Sequence, residues 1–300
     1  MTLQTLSPLQ VAVQWLLFPL LLSVSLFSYV YALNHGWDTE MVVLAITVLS
    51  LITALLLERW LPFRRDWNQS KGDIVTDASS AVMLAGLADP LLKFSAPVLV
   101  VVLYSAFPSA NLYDIWVAPL PLWLQATLVL LSIEFGRYWA HRLHHQITRL
   151  WWLHALHHSS QRLYAFNNLR FHPLNYALNF AVSVLPWVLL GLPAEGLLAY
   201  LALTQPILML QHANLNLRHG VLNYLFSTNE VHRWHHSSNV TEANCNYGNA
   251  LIVWDWVFGT FKYEKNGNEP EVMGLFASSA QQYPVNGSYY QQLTAFCCRR

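Results

Sequence analysis

The chain has 300 residues, of which 55% are hydrophobic and only 11% charged, and its 16 Lys+Arg and 16 Asp+Glu cancel to a formal net charge of zero. A soluble domain carries about 25% charged residues, so this composition describes an integral membrane protein, and the zero net charge leaves a nucleic-acid partner without an electrostatic footprint. The three cysteines, Cys245, Cys297 and Cys298, supply no disulfide framework, no CxxC pair and no thiolate cage for an iron–sulfur cluster.

A spanning helix needs about 20 apolar residues. Residues 11–33 and 41–57 qualify, and nothing before Pro8 has the charge or small-residue cleavage site of a signal peptide. A third apolar region, 78–107, is interrupted by "DPLLK" at 89–93. A proline and two charges there allow one bent span or a pair of re-entrant half-helices. A fourth span, 117–140, runs into a dense group of histidines. A fifth and a sixth, 176–192 and 194–212, are short, are separated by "GLP", and read as a hairpin dipping in from one side. The fold class is therefore an all-α, polytopic membrane bundle of four to six spans. Basic residues follow spans two (Arg59 to Lys71), four (Arg137 to Arg170) and six (Arg218 to Lys265), and are absent from the loops "NHGWDTE" and "PSANLYDIWVAP". The positive-inside rule places all three groups in the cytoplasm. From about residue 213 the chain is more polar and reads as a cytoplasmic, histidine-rich cap. The expected organisation is an N-terminal transmembrane region (1–116), a catalytic domain (117–263) and a C-terminal tail (264–300). "CCRR" closes that tail with thiols that are solvated, lipidated or simply unmodified.

Six of the 13 histidines fall in "HRLHHQITRLWWLHALHHSS" (141–160), and three more in "VHRWHH" (231–236). His154, His157 and His158 stand at i, i+3 and i+4, as do His232, His235 and His236, so each triplet covers an arc of about 100° on one side of a helix. His141 and His145 are one turn apart; His144 lies close by, and geometry alone does not choose between it and His145. Crowded imidazoles repel if protonated and are left unsatisfied if neutral and buried; a metal resolves both by taking their lone pairs. Eight or nine imidazoles, with His212 of "QHANL" added, are too many for one ion and suit two neighbouring ions. Zinc usually mixes histidine with cysteine or carboxylate, whereas a nearly all-histidine set beside a bilayer points to redox-active iron used for oxygen chemistry on an inert C–H bond. His172 and His219 are further candidates, and His35 reads as a loop residue. Glu134, two turns before His141, is placed either to accept the outer N–H of a ligand histidine or to pair with Arg137 or Arg142. Trp139, Trp151 and Trp152 suit a lipid slot or interfacial anchoring.

These residues resemble the fatty acid hydroxylase/sterol desaturase superfamily over about residues 120 to 263. "EFGRYWAHRLHH" is similar to its first box, HxxxH, which maps onto His141 and His145 and leaves out His144. "LWWLHALHHSS" and "VHRWHHS" are similar to its two HxxHH boxes, and "RFHPLN", "QHANL" and "NYGNALIVWDWVFGTF" resemble segments flanking and closing its site. The resemblance implies a di-iron centre, O2, a lipid substrate (sterol, fatty acyl, alkylglycerol-like or similar) and hydroxylation or desaturation. It also implies electrons from a separate ferredoxin, b-type cytochrome or reductase, since the chain has no GxGxxG and no HPGG haem pattern. Two departures stand out: Asn216 occupies a position where some members have a further histidine, and Glu134 stands where many have Asp. A zinc-dependent hydrolase and a non-catalytic metal- or lipid-binding protein are the competing readings.

Overall fold

In the computed structural model, which describes residues 6–106, 112–265 and 268–298, the chain is helical, and among the described residues only isolated β-bridges occur. Helix α1 (Pro8–Asn34) starts on a capping box in which Ser7 and Gln10 exchange backbone hydrogen bonds, and α2 (Thr39–Trp60) starts on the Asp38 side chain. Each end thus satisfies N–H groups that the helix itself cannot. Next come α3 (Ile74–Met83) and α4 (Asp89–Ala106), joined by the π-helical turn Leu84–Ala88. Pro90 comes just after the π turn, where its missing N–H interrupts the α-helical hydrogen-bond ladder, and Asp89 and Lys93 pair at 3.2 Å. The region is therefore one bent helix and not two half-helices; residue 107, the end of the expected span, lies outside the described residues.

Three helical segments, Pro8–Asn34, Thr39–Trp60 and Ile74–Val102, are long and apolar enough to cross a membrane. Their outward side chains, such as Phe27, Leu56 and Phe94, are largely exposed, as lipid-facing residues are in a chain taken without its bilayer. After α5 (Leu112–Trp116) come α6 (Leu122–Gln146) and α7 (Thr148–His158), separated by a single extended residue, Ile147. The expected fifth span breaks at Val184 into α8 (Pro173–Ser183) and α9 (Leu185–Leu189), with Pro186 in the first turn of the second piece; neither piece reaches membrane length. Helix α10 (Ala194–Gln211) packs against α1, α2 and α6, and α11 (Asn229–His235) completes the site.

Where α6 crosses α8 the contact is backbone to backbone. A Cβ added at Gly136 would stand 2.8 Å from both the Ser183 Cα and the Val182 carbonyl oxygen. Gly136→Ala is expected to cost about 1–3 kcal/mol through overpacking, read as a lower thermal midpoint of the detergent-solubilised protein.

The segment expected as a tail packs under α7. Trp151 stacks on Phe276 and donates its indole N–H to Ser279 Oγ at 3.0 Å, while Trp152 stacks on Tyr283. Both tryptophans are buried in this cluster, so they neither line a lipid slot nor anchor at an interface. Trp139 packs edge-on against Phe258, with the Arg142 guanidinium above it. Cys297 is free and exposed.

Candidate metal centre

The extended residue Ile147 turns the chain so that the last two turns of α6 face the whole of α7, and α11 packs across them. Its register is set by the Thr228 cap and by Asn229, whose amide donates to the Ala213 and Leu215 carbonyls. The result is two groups of imidazoles. His141, His145, His154, His158 and His235 form one, and His157, His212, His232 and His236 the other; within each group the nitrogens lie within 4.8 Å of one another. The structure thus brings together all nine histidines of the expected set. Each HxxHH triplet is divided: its i, i+4 pair goes to one group and its middle histidine to the other. At about 100° per residue, i and i+4 diverge by only about 40°, whereas i+3 and i+4 point about 100° apart.

The protonation of several rings follows from their hydrogen bonds. The Nδ1–H of His141 donates to the Tyr247 carbonyl at 2.8 Å, that of His157 to the Arg170 carbonyl at 3.1 Å and that of His235 to the Cys245 carbonyl at 2.8 Å. His212 donates to Asn167 Oδ1 at 2.8 Å; that amide is oriented by its own donation to Ser160 and the Arg162 carbonyl. A longer chain starts at His144, whose Nδ1–H donates to the Ala140 carbonyl, leaving Nε2 to accept from Asn175 Nδ2 at 3.0 Å. Asn175 Oδ1 must then face His154 Nδ1, 2.9 Å away, and accept its proton. In His141, His154, His157, His212 and His235 the Nε2 is left bare and aimed inward.

Bare nitrogens then meet. His141 and His154 bring two Nε2 lone pairs within 3.0 Å; the His212–His232 and His158–His235 Nε2 separations are 3.0 and 3.1 Å, with the outer Nδ1 of His232 and His158 left without a partner among the described residues. Lone pairs that close repel unless a cation lies between them. Two nitrogens each about 2.1 Å from one ion are about 3.0 Å apart at a right angle, and about 3.4 Å apart at a tetrahedral angle. The residues present therefore fit a metal pair. Burial, with the neighbouring imidazoles adding to it, holds His154, His157, His158, His232, His235 and His236 well below the ordinary histidine value. These groups take up protons more readily unfolded than folded, so metal-free protein should hold its full stability above about pH 6.5 and lose it as pH falls below that value. Denaturation midpoints of chelator-stripped protein between about pH 8 and pH 5 check this.

The remaining candidates lie elsewhere. His172 caps α8, its Nδ1 accepting from the Leu174 N–H, while its Nε2 reaches the Leu293 carbonyl. His219 is bound through its N–H and Nδ1 to Glu230 in the first turn of α11. Burial alone would raise Glu230, but hydrogen bonds from His219 and Asn223 bring it down to about 2. Asn216 joins neither group; its backbone N–H donates to the Leu61 carbonyl. Glu134 accepts from the Ala250 and Leu251 N–H groups and the Tyr200 hydroxyl at 2.7–2.8 Å, so it holds the 249–251 loop and does not contact a ligand histidine. Arg142 instead donates to the Tyr138 hydroxyl.

Reading by residue type left His144 out of the ligand set without showing its link to Asn175, and it missed Asn175, Asn167 and the buried pairs Arg162–Asp73 and Arg170–Asp77 that tie the loop after α7 to the start of α3. It also missed Asp255, raised to about 6 by burial, which accepts the Tyr247 and Gly248 N–H groups and so holds the turn that orients His141. Beside the imidazoles lies a cavity of about 260 Å³ that touches His141 and His154 of one group and His157 and His232 of the other.

Fold and site together define a helical membrane protein whose clustered imidazoles could hold a pair of metal ions. A family model described as fatty acid hydroxylase matches residues 126–260. The ornithine lipid hydroxylase OlsE of Rhizobium tropici is 34% identical over 296 residues, 96% of this chain and 89% of that protein. The alkylglycerol monooxygenase of Homo sapiens is 29% identical over 251 residues, 81% of this chain but 49% of that protein, and that of Xenopus tropicalis is 29% identical over 155 residues, 50% of this chain and 32% of that protein. The chain thus spans half or less of the alkylglycerol monooxygenases it matches. No solved structure matches. The chain belongs to the fatty acid hydroxylase family, a class of metal- and oxygen-dependent lipid oxidoreductases.

Proposed function

We propose that this protein hydroxylates a membrane lipid with O2 at a di-iron centre held by His141, His145, His154, His158 and His235 on one side and His157, His212, His232 and His236 on the other. The single observation that carries the reading is the pairing of these two imidazole sets, with inward Nε2 atoms fixed by outward Nδ1–H bonds. Bound there, the metal pair supplies the activation of O2. The overall balance is C–H + O2 + 2 e⁻ + 2 H⁺ → C–OH + H2O, with electrons from a separate ferredoxin, b-type cytochrome or reductase.

The chain's own contribution is positional. Carbonyls and amides lock His141, His154, His157, His212 and His235 in one tautomer, so that these five rings need no reorientation on metal loading. The buried cluster keeps bulk water from the reacting carbon. The cavity over both groups admits the part of the lipid to be oxidised. Hydroxylation is favoured over desaturation by the relatives, which are named a hydroxylase and monooxygenases, and a lipid with an amino-acid head group is favoured by the ornithine lipid hydroxylase that matches nearly end to end. The basic residues flanking the histidine segments support a cytoplasmic site. A nearly all-histidine donor set, without cysteine or carboxylate, favours iron over zinc.

The test is lipidomics of cells with and without the protein under ¹⁸O2, with metal analysis of the purified enzyme. A lipid gaining one ¹⁸O atom and a content of about two irons per chain are expected. Zinc with no oxygen-dependent lipid change would sink the proposal.

A further inference from the structure

The cavity over the histidines is lined by more polar groups than an alkyl chain requires. Arg137 projects into it from α6, Tyr176 and Asn179 from α8, Gln205 from α10 and Asn249 from the loop that Glu134 holds. A pocket built for hydrocarbon alone would be apolar, because each polar group kept from water without a partner costs free energy. Two of these groups are buried and unpartnered: Arg137 Nε, a donor, and Asn179 Oδ1, an acceptor. Arg137 touches the Tyr200 hydroxyl, but that hydroxyl gives its own proton to Glu134, and Glu134 is further occupied by two backbone N–H groups. Among the described residues Arg137 forms no ion pair.

Arg137 stands one helical turn before His141, a spacing that puts the two side chains on one face with Cβ atoms about 5–6 Å apart. A planar guanidinium so placed recognises a carboxylate through paired hydrogen bonds. An orphan acceptor on the facing helix asks the same ligand for an N–H. Those two needs together describe the head group of an amino acid linked to a lipid, and one guanidinium with Glu134 close by suits a single negative charge better than two.

We propose that Arg137 and Asn179 form a head-group clamp in which Arg137 binds the carboxylate of an amino-acid-type lipid and Asn179 accepts a hydrogen bond from its nitrogen. This rests on the reading of the protein as a lipid hydroxylase and names the residues that select the lipid. N-palmitoylornithine and its methyl ester serve as probes, compared in equilibrium binding to the detergent-solubilised metal-loaded enzyme and in ¹⁸O2 turnover. Hydrogen bonds to a charged partner predict a free acid favoured about 10- to 100-fold in Kd and KM. Arg137→Gln should bring the acid-to-ester ratio toward one, and Arg137→Lys should keep part of it. Wild-type protein that treats acid and ester alike overturns the clamp with no variant needed. So does an Arg137-dependent preference for a phosphate-headed lipid over the acid. An acid preference in binding that Arg137→Gln removes supports the clamp even if no lipid gains oxygen, an outcome that would sink the hydroxylase reading alone.

Discussion

His157→Ala is expected to abolish turnover, with a fall well beyond the roughly 10- to 100-fold that loss of a ligand's outer hydrogen-bond partner costs in this kind of site. His157 is the middle histidine of its triplet and belongs to a different group from its neighbours His154 and His158. Its removal should therefore empty one position only. Metal content should drop from about two ions per chain toward one, while the helical circular dichroism signal and membrane insertion stay unchanged. The same substitution at His235, the middle histidine of the other triplet, should strip the opposite group. Retention of two ions and full activity in either variant would show that the two groups are not separate binding positions.

The second large effect lies away from the imidazoles. Asp77 is fully buried and binds both the Arg170 guanidinium and the Tyr164 hydroxyl, and Arg170 is itself only 3% exposed. Asp77→Asn would leave the guanidinium buried without its counter-charge, at a cost of about 3–5 kcal/mol. Two neighbours sharpen the expectation. The Arg170 carbonyl accepts the His157 Nδ1–H, and its guanidinium also reaches Ser159 beside His158. Activity should therefore fall together with stability. Pairing Asp77→Leu with Arg170→Met removes both charges, and recovery of most of the lost stability is expected. A thermal or denaturant midpoint close to wild type for Asp77→Asn alone would show that the pair does not hold the loop.

Much of this architecture was readable from the residues because the relevant signals are local. Continuous apolar runs define α1 and α2, and the i, i+3, i+4 spacing puts each histidine triplet on one side of a helix. What periodicity could not show was how a triplet is shared between two ions, because that depends on how α6, α7 and α11 cross. The break between α8 and α9 was marked only by one proline inside an otherwise apolar run. The packing of 275–296 beneath α7 has no local signature either, since Tyr283 and Leu293 read equally well as parts of a polar tail. Asn175 shows the limit most plainly: it links His144 to His154 only because α8 lies beside α6, a long-range fact that no single segment carries.

Three of the site's imidazoles take their direction from main-chain oxygens, those of Tyr247, Cys245 and Arg170. A peptide oxygen is present whatever residue bears it. A change of side chain at 245 or 247 thus leaves the hydrogen-bond acceptors of His235 and His141 in place, although the Tyr247 ring also packs against both imidazoles. Constraint passes instead to whatever gives that stretch its path: Asn246, held at a φ of 52° with its amide bonded to Val231 and Lys262, and Asp255 behind it. The residues that fix the path of the main chain, one layer behind the imidazoles, thereby carry part of the constraint on the reacting centre.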